Sequence, residues 1–458
     1  MKTTLAFFAL SASMAAAQTF PDDLVERGRY VATASDCVAC HTGPEDKPFG
    51  GNHRIASPVG DIWATNITPS TTHGIGNYTE QQFSDAVRRG IRADGANLYP
   101  AMPYTAFARI TDEDMHALYA YFMQGVEPID EPSQQTALAF PFGLRFSMMG
   151  WNLLFADSAT HQDDPAKSAE WNRGAYLAEG PGHCSTCHTP RGMLMQEDGG
   201  QYLAGAQVGP WFAPNITSDK AGGIGSWRKD EIVAYLATGR AEGKSQAGGS
   251  MAEAVSHSFS KLTADDLGAI ATYIMDVPAI AGPARFDLGT AGNRTAEFRG
   301  IADPDLTDLG AGAQIYSANC AACHGYDGQG TKDQYYPSLF NNSDTAGKGA
   351  NNFVAAVLNG VNRKTDQGHV FMPPFGTQTN AFNSLDDGEV AALTNYAMNQ
   401  FGDGVTTVSA EDVATIRAGG PTSNMVKVVQ TLIAVGAALV AVVLIATVIV
   451  LRRRKRAA

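Results

Sequence analysis

Three stretches of the chain repeat one arrangement of polar and apolar positions. Ile110-Thr111 with Asp114-Met115, Leu262-Thr263 with Asp266-Leu267, and Leu385-Asp386 with Glu389-Val390 share the same register. The Thr or Asp suits an N-cap, the acid three positions on returns a hydrogen bond or favours the helix dipole, and the flanking apolar pair forms a hydrophobic staple. Apolar residues follow at matched offsets: Leu118, Tyr121 and Phe122; Ile270, Tyr273 and Ile274; Leu393, Tyr396 and Ala397. The spacing predicts three equivalent closing helices, each burying one stripe. Long alternating strands are missing from the pattern, so the fold is expected to be mainly α with long irregular loops.

The ends carry two further apolar runs. Lys2, the run Leu5 to Leu10 and Ala15-Ala16-Ala17 before Gln18 read as a secretory signal over residues 1–17. Thr431 to Leu451 is a stretch of 21 uncharged positions. At 1.5 Å each these span roughly 31 Å, enough to cross a hydrocarbon core of about 30 Å. The basic run 452–456 follows directly, and clustered positive charge stays on the cytoplasmic side. A single-pass protein of the bacterial inner membrane is expected, with its main body in the periplasm. A buried core helix is the competing reading, and the run's length, composition and basic stop speak against it.

Charge sharpens this picture. The net charge is −13, but setting aside Lys2, Lys427 and the five basic tail residues leaves 26 basic side chains against 46 acidic ones. The external part therefore carries −20, which excludes nucleic acid as a sensible partner.

All six cysteines fall in three Cys-x-x-Cys-His pentapeptides: Cys37, Cys40 and His41; Cys184, Cys187 and His188; Cys320, Cys323 and His324. Two thiols three residues apart on a helical turn face the same way and can add to the two vinyl groups of one haem, while the next residue offers imidazole to the iron. Disulfides would give no reason for the repeated histidine, and zinc held by two such pairs would leave the third unpartnered. Three covalently bound haem c groups are expected, with His41, His188 and His324 as proximal ligands.

One methionine per copy lies at a comparable distance beyond the histidine: Met102, Met251 and Met372. Pro103 and Pro373 set the first and third on a stiff extended backbone, whereas Met251 follows Gly249 and Ser250. These are the candidate sixth ligands; the alternative for any methionine is core filling. His73, His257 and His369 are read as surface or propionate-contacting residues, and His183 abuts Cys184 too closely to reach the opposite haem face. Thioether ligation raises the haem potential relative to two imidazoles and suits electron transfer. Pro337 is expected to offer its carbonyl to the His324 Nδ1 proton.

Internal similarity divides the chain into a first domain over 18–127, an aromatic-rich connector over 128–165, a second domain over 166–282, a linker over 283–308, a third domain over 309–402, a linker over 403–427, a membrane helix over 428–451 and a basic tail over 452–458. Ala64-Thr65-Asn66-Ile67-Thr68 matches Ala213-Pro214-Asn215-Ile216-Thr217, and this repetition argues for a local structural role rather than glycosylation. The connector, rich in Phe140, Phe142, Phe146, Met149, Trp151, Leu153 and Leu154, is expected to be buried between domains. Its exposure would instead mark a contact surface for a partner subunit or the membrane interface.

The three motifs in order, with Thr65-Asn66-Ile67-Thr68-Pro69, His73-Gly74-Ile75-Gly76-Asn77-Tyr78-Thr79 and Tyr99-Pro100-Ala101-Met102-Pro103-Tyr104, resemble the triheme cytochrome c subunit of bacterial membrane-bound dehydrogenases acting on alcohols, aldehydes, gluconate or fructose. The resemblance implies three tandem class I cytochrome c-like domains and a separate periplasmic catalytic subunit carrying pyrroloquinoline quinone, flavin or molybdopterin. It also implies delivery of that subunit's electrons to ubiquinone in the lipid bilayer, and methionine as sixth ligand. Two other readings stay open: a cytochrome c subunit feeding a terminal oxidase, and a self-contained haem peroxidase.

Overall fold

Each Cys-x-x-Cys-His turn sits at the end of an opening helix that packs across a closing helix. The computed structural model describes residues 19–282, 310–377 and 381–457, apart from positions 58, 158, 341, 344, 346–349 and 422–424. The expected signal peptide and the 283–308 linker lie outside the described residues.

The opening helices are Asp22–Ala34, Ala169–Glu179 and Gly310–Asn319, and the closing helices are Asp112–Ala120, Ala264–Asp276 and Asp387–Phe401. A glycine lets each pair cross closely. A carbon added at Gly28 would lie 1.9 Å from the Ala117 carbonyl oxygen, one at Gly174 1.9 Å from that of Ala269, and one at Gly312 2.2 Å from that of Ala392. Any side chain there would drive the helices apart.

The closing helices start as their sequences predict. Thr111, Thr263 and Asp386 accept hydrogen bonds from the amides of Asp114, Asp266 and Glu389, and Glu389 completes a capping box. All the stripe residues named above are buried. They seed three hydrophobic clusters, centred on Leu118 and Phe122, on Ile270 and Tyr273, and on Leu393 and Tyr396. A third helix joins each cluster: Glu80–Arg89, Lys229–Thr238 and Ala350–Asn359. Strands are confined to four two-stranded antiparallel hairpins among the described residues, the longest pairing Val361–Thr365 with Gly368–Met372.

Two expectations need correction. The 403–427 stretch is not a plain linker: helix Ala410–Arg417, capped by Ser409, buries Val413 and Ile416 in the third cluster. The connector is not buried between domains. Its helix Ser147–Phe155 has no buried residue, and Phe146, Met149, Leu153 and Leu154 are exposed. Met102 closes a turn, its amide donating to the Tyr99 carbonyl at 3.3 Å, and Met372 ends strand Gly368–Met372.

The C-terminal helix is Met425–Ala457. Its stretch Met425–Ile449 is long and apolar enough to cross a membrane, and none of its most apolar window is buried against the rest of the chain.

Candidate haem sites

The histidine of each pentapeptide has one ring nitrogen already engaged. His41 Nδ1 lies 2.7 Å from the Thr65 carbonyl oxygen, His188 Nδ1 2.7 Å from that of Pro214, and His324 Nδ1 2.9 Å from that of Pro337. A proton on Nδ1 satisfies each carbonyl and leaves Nε2 with a lone pair for a metal. Burial holds the His41 and His324 imidazoles below their ordinary pKa, which favours the neutral ligand form.

The Pro337 contact follows the sequence expectation; the other two were missed. Their signal was the repeated Asn-Ile-Thr. Asn66 Oδ1 accepts from the Thr68 amide at 2.9 Å and the Thr68 hydroxyl at 2.7 Å, while its Nδ2 donates to the Ile129 carbonyl at 2.7 Å. Asn215 repeats this with Thr217 and Ile280. Both asparagines are buried, which rules out glycosylation and explains the repeat. The turn they pin presents the residue just before each, Thr65 or Pro214, to the histidine.

In the second copy, Cys184, Cys187 and His188 line one cavity together with Met251, between apolar walls that include Ile216, Trp227 and Leu236. A flat, largely apolar cofactor tethered at both thiols fits this donor set. Met251 is the third residue of helix Gly249–His257, not a loop residue. In the first copy Cys37, Val38 and Met102 pack against one cluster, and in the third Cys320 and Met372 do so. The six cysteines form no disulfide, and no three His, Cys, Asp or Glu side chains among the described residues converge as a metal-ion cluster. His73, His257 and His369 lie at the surface, and His369 Nε2 is 2.7 Å from Asn362 Oδ1. His183 adopts a left-handed backbone and sets its ring edge against Phe107 of the first copy.

That last contact belongs to a reciprocal interface. Tyr30 donates to Asp266 Oδ2 at 2.6 Å, and Tyr176, its counterpart in the second copy, donates to Asp114. Arg27 pairs with Asp114 at 2.7 Å, and Arg173 with Asp266 at 2.7 Å. Each closing-helix acid thus holds the arginine of its own copy and the tyrosine of the other.

The cytochrome c family model matches residues 25–125 and 309–400, with the second Cys-x-x-Cys-His turn between the two matches. The chain is 43% identical to the fructose dehydrogenase cytochrome subunit of Gluconobacter japonicus, over 95% of this chain and 92% of that protein. It is 38% identical to the cytochrome c subunit of the quinone alcohol dehydrogenase of Gluconobacter oxydans (strain 621H), over 93% and 88%. With the gluconate 2-dehydrogenase cytochrome c subunit of Pantoea cypripedii it shares 37% identity, over 90% and 93%. The chain belongs to the family of cytochrome c subunits of bacterial dehydrogenases. Cytochromes of this family hold haem c covalently.

Proposed function

We propose that the chain is the electron-transfer subunit of a bacterial membrane-bound dehydrogenase, holding three haem c groups and carrying electrons from a periplasmic catalytic subunit to ubiquinone. The three groups would be tethered at Cys37 and Cys40, Cys184 and Cys187, and Cys320 and Cys323. Bound there, haem would supply a one-electron iron couple. The protein's part is to hold it: His41, His188 and His324 as proximal ligands, oriented by Thr65, Pro214 and Pro337, and Met102, Met251 and Met372 as sixth ligands. Domains over 18–127, 166–282 and 309–402 each carry one site. Residues 1–17 would direct export, and the C-terminal helix would anchor the body on the periplasmic face with the basic tail in the cytoplasm.

The observation carrying this reading is the convergence of both thiols, the imidazole and Met251 on one apolar cavity, with His188 Nδ1 already committed to a carbonyl. The test is purification from detergent-solubilised membranes. Three haem equivalents per polypeptide, low-spin spectra and reduction by substrate only when a second subunit is present are the expected results. Fewer than three equivalents, or peroxide turnover at a high-spin site, would refute it.

A further inference from the structure

We propose that the exposed connector helix Ser147–Phe155 and the loop beside it form the docking surface for the dehydrogenase's catalytic subunit. This rests on the functional reading above. The surface comprises Phe140, Phe146, Met149, Leu153, Leu154 and Met193, with Leu153 86% and Met193 77% exposed. Aromatic residues and methionine are what the core of a protein interface enriches, and a concentration of exposed apolar side chains on one short segment and the loop it bonds to marks an interaction site.

The patch is built against the candidate haem sites rather than apart from them. Tyr104, two residues after Met102, donates to Asn152 Oδ1 at 2.7 Å and meets the Trp151 ring edge-on. The Trp151 indole nitrogen donates to the Leu194 carbonyl at 2.9 Å, in the loop that follows His188. Arg145 donates to the Asn97 carbonyl and stacks over Tyr99 at 4.5 Å. A partner seated here therefore faces the Met102 turn of the first copy and the loop after the second copy's pentapeptide.

Charge decides between a protein and a lipid surface. From Pro132 to Ala156 the only charged side chain is Arg145, which is already engaged, and there is no lysine. Asp157, Asp163, Glu197 and Asp198 flank the patch in sequence; Arg109 and Arg191 are tied to Asp157 and Glu197. Interfacial membrane segments present lysine and arginine to anionic headgroups, and this one presents none free. An uncharged apolar surface whose neighbours Asp157 and Glu197 are already paired with arginine instead fits the apolar centre of a protein surface.

The experiment uses the full complex isolated from membranes, with Phe146→Ser, Leu153→Ser and Leu154→Ser combined in the cytochrome chain. These side chains are exposed, so haem content and membrane retention should match the unsubstituted chain, while the catalytic subunit is lost at least tenfold. Phe382→Ser, which alters an exposed aromatic in the third copy, should leave the complex intact. Retention of the catalytic subunit at its original stoichiometry by the triple variant would overturn the docking proposal and leave the functional reading standing. Isolation of the unsubstituted chain with no catalytic subunit would sink the functional reading itself. In vesicles of phosphatidylethanolamine and phosphatidylglycerol, a photoactivatable acyl chain should label 425–449 and not 140–155. Labelling of 140–155 would overturn the proposal in favour of a bilayer contact.

Discussion

A carbonyl oxygen within 3 Å of each pentapeptide histidine's Nδ1 fixes the ring's orientation, so on the proposed reading differences among the three sites would rest on the sixth ligand. Met251 is the site to probe because it alone of the three methionines sits in a helix. Gly248 and Gly249, at the start of that helix, leave no room for a side chain. The reason is Trp211: a carbon added at Gly249 would lie 2.4 Å from its indole nitrogen, and Gly249 also has a positive φ of 51°. The glycines make room for a distant ring, which local pattern cannot reveal. Met251→His should keep that haem low-spin and lower its potential by on the order of a hundred millivolts, within the ~0.8 V range that axial ligands span. Spectroelectrochemical titration should show one of three waves moving; three unchanged waves would remove Met251 from the ligand set. At the helix crossings, Gly174→Ala should cost about 1–3 kcal/mol or more through overpacking against Ala269, read as a lower denaturation midpoint with haem content unchanged.

The asparagine turn is a short element whose task lies outside itself. Asn215 joins its own turn to Ile280, just past the closing helix, and Asn66 joins its turn to Ile129 in the same way. Asn215→Ala should lose about 2–3 kcal/mol, from roughly 1 kcal/mol per hydrogen bond plus the unsatisfied buried groups left behind. It should also broaden the second haem's spectrum as Pro214 loosens from His188. A loss of stability with an unaltered spectrum would mean the turn does not orient the ring. The closing helices, their caps and their buried stripes were legible in the sequence because N-cap, acid and apolar period all act within one helix. The repeated Asn-Ile-Thr was visible too, but not its task, because its partners lie about sixty positions downstream. The helix Ala410–Arg417 was missed for the opposite reason. Only Val413 and Ile416 of it reach the third cluster, too few apolar positions to stand out within a polar stretch.

Across the whole molecule the first two copies behave as a pair and the third as an addition. Arg27, Tyr30 and Asp114 recur as Arg173, Tyr176 and Asp266, but the equivalent positions in the third copy are Ala311, Gln314 and Glu389, which cannot build the same exchange. The third copy docks by other means. The buried Arg363 donates to the Ala247 carbonyl at 2.7 Å and to Gln246 Oε1 at 3.2 Å, with no carboxylate paired to it among the described residues, and Asn352 bonds both the amide and the carbonyl of Phe212. The two interfaces should therefore answer differently to acid. Burial pushes the Asp266 carboxyl up, but hydrogen bonds from Arg173 and Tyr30 outweigh it and hold the group below its ordinary value. A carboxyl depressed in the folded state stabilises fully above its unfolded pKa of about 4, because below that the unfolded chain binds the extra proton. Contact between the first two copies should thus weaken as pH falls below about 4, while the Arg363 contact, lacking a carboxylate, should not. Denaturation midpoints followed from about pH 6 to about pH 3 should drop more steeply for the unsubstituted chain than for Asp266→Asn, which starts lower and is flatter. Parallel curves for the two would mean that the Tyr30–Asp266–Arg173 cluster does not hold the pair together.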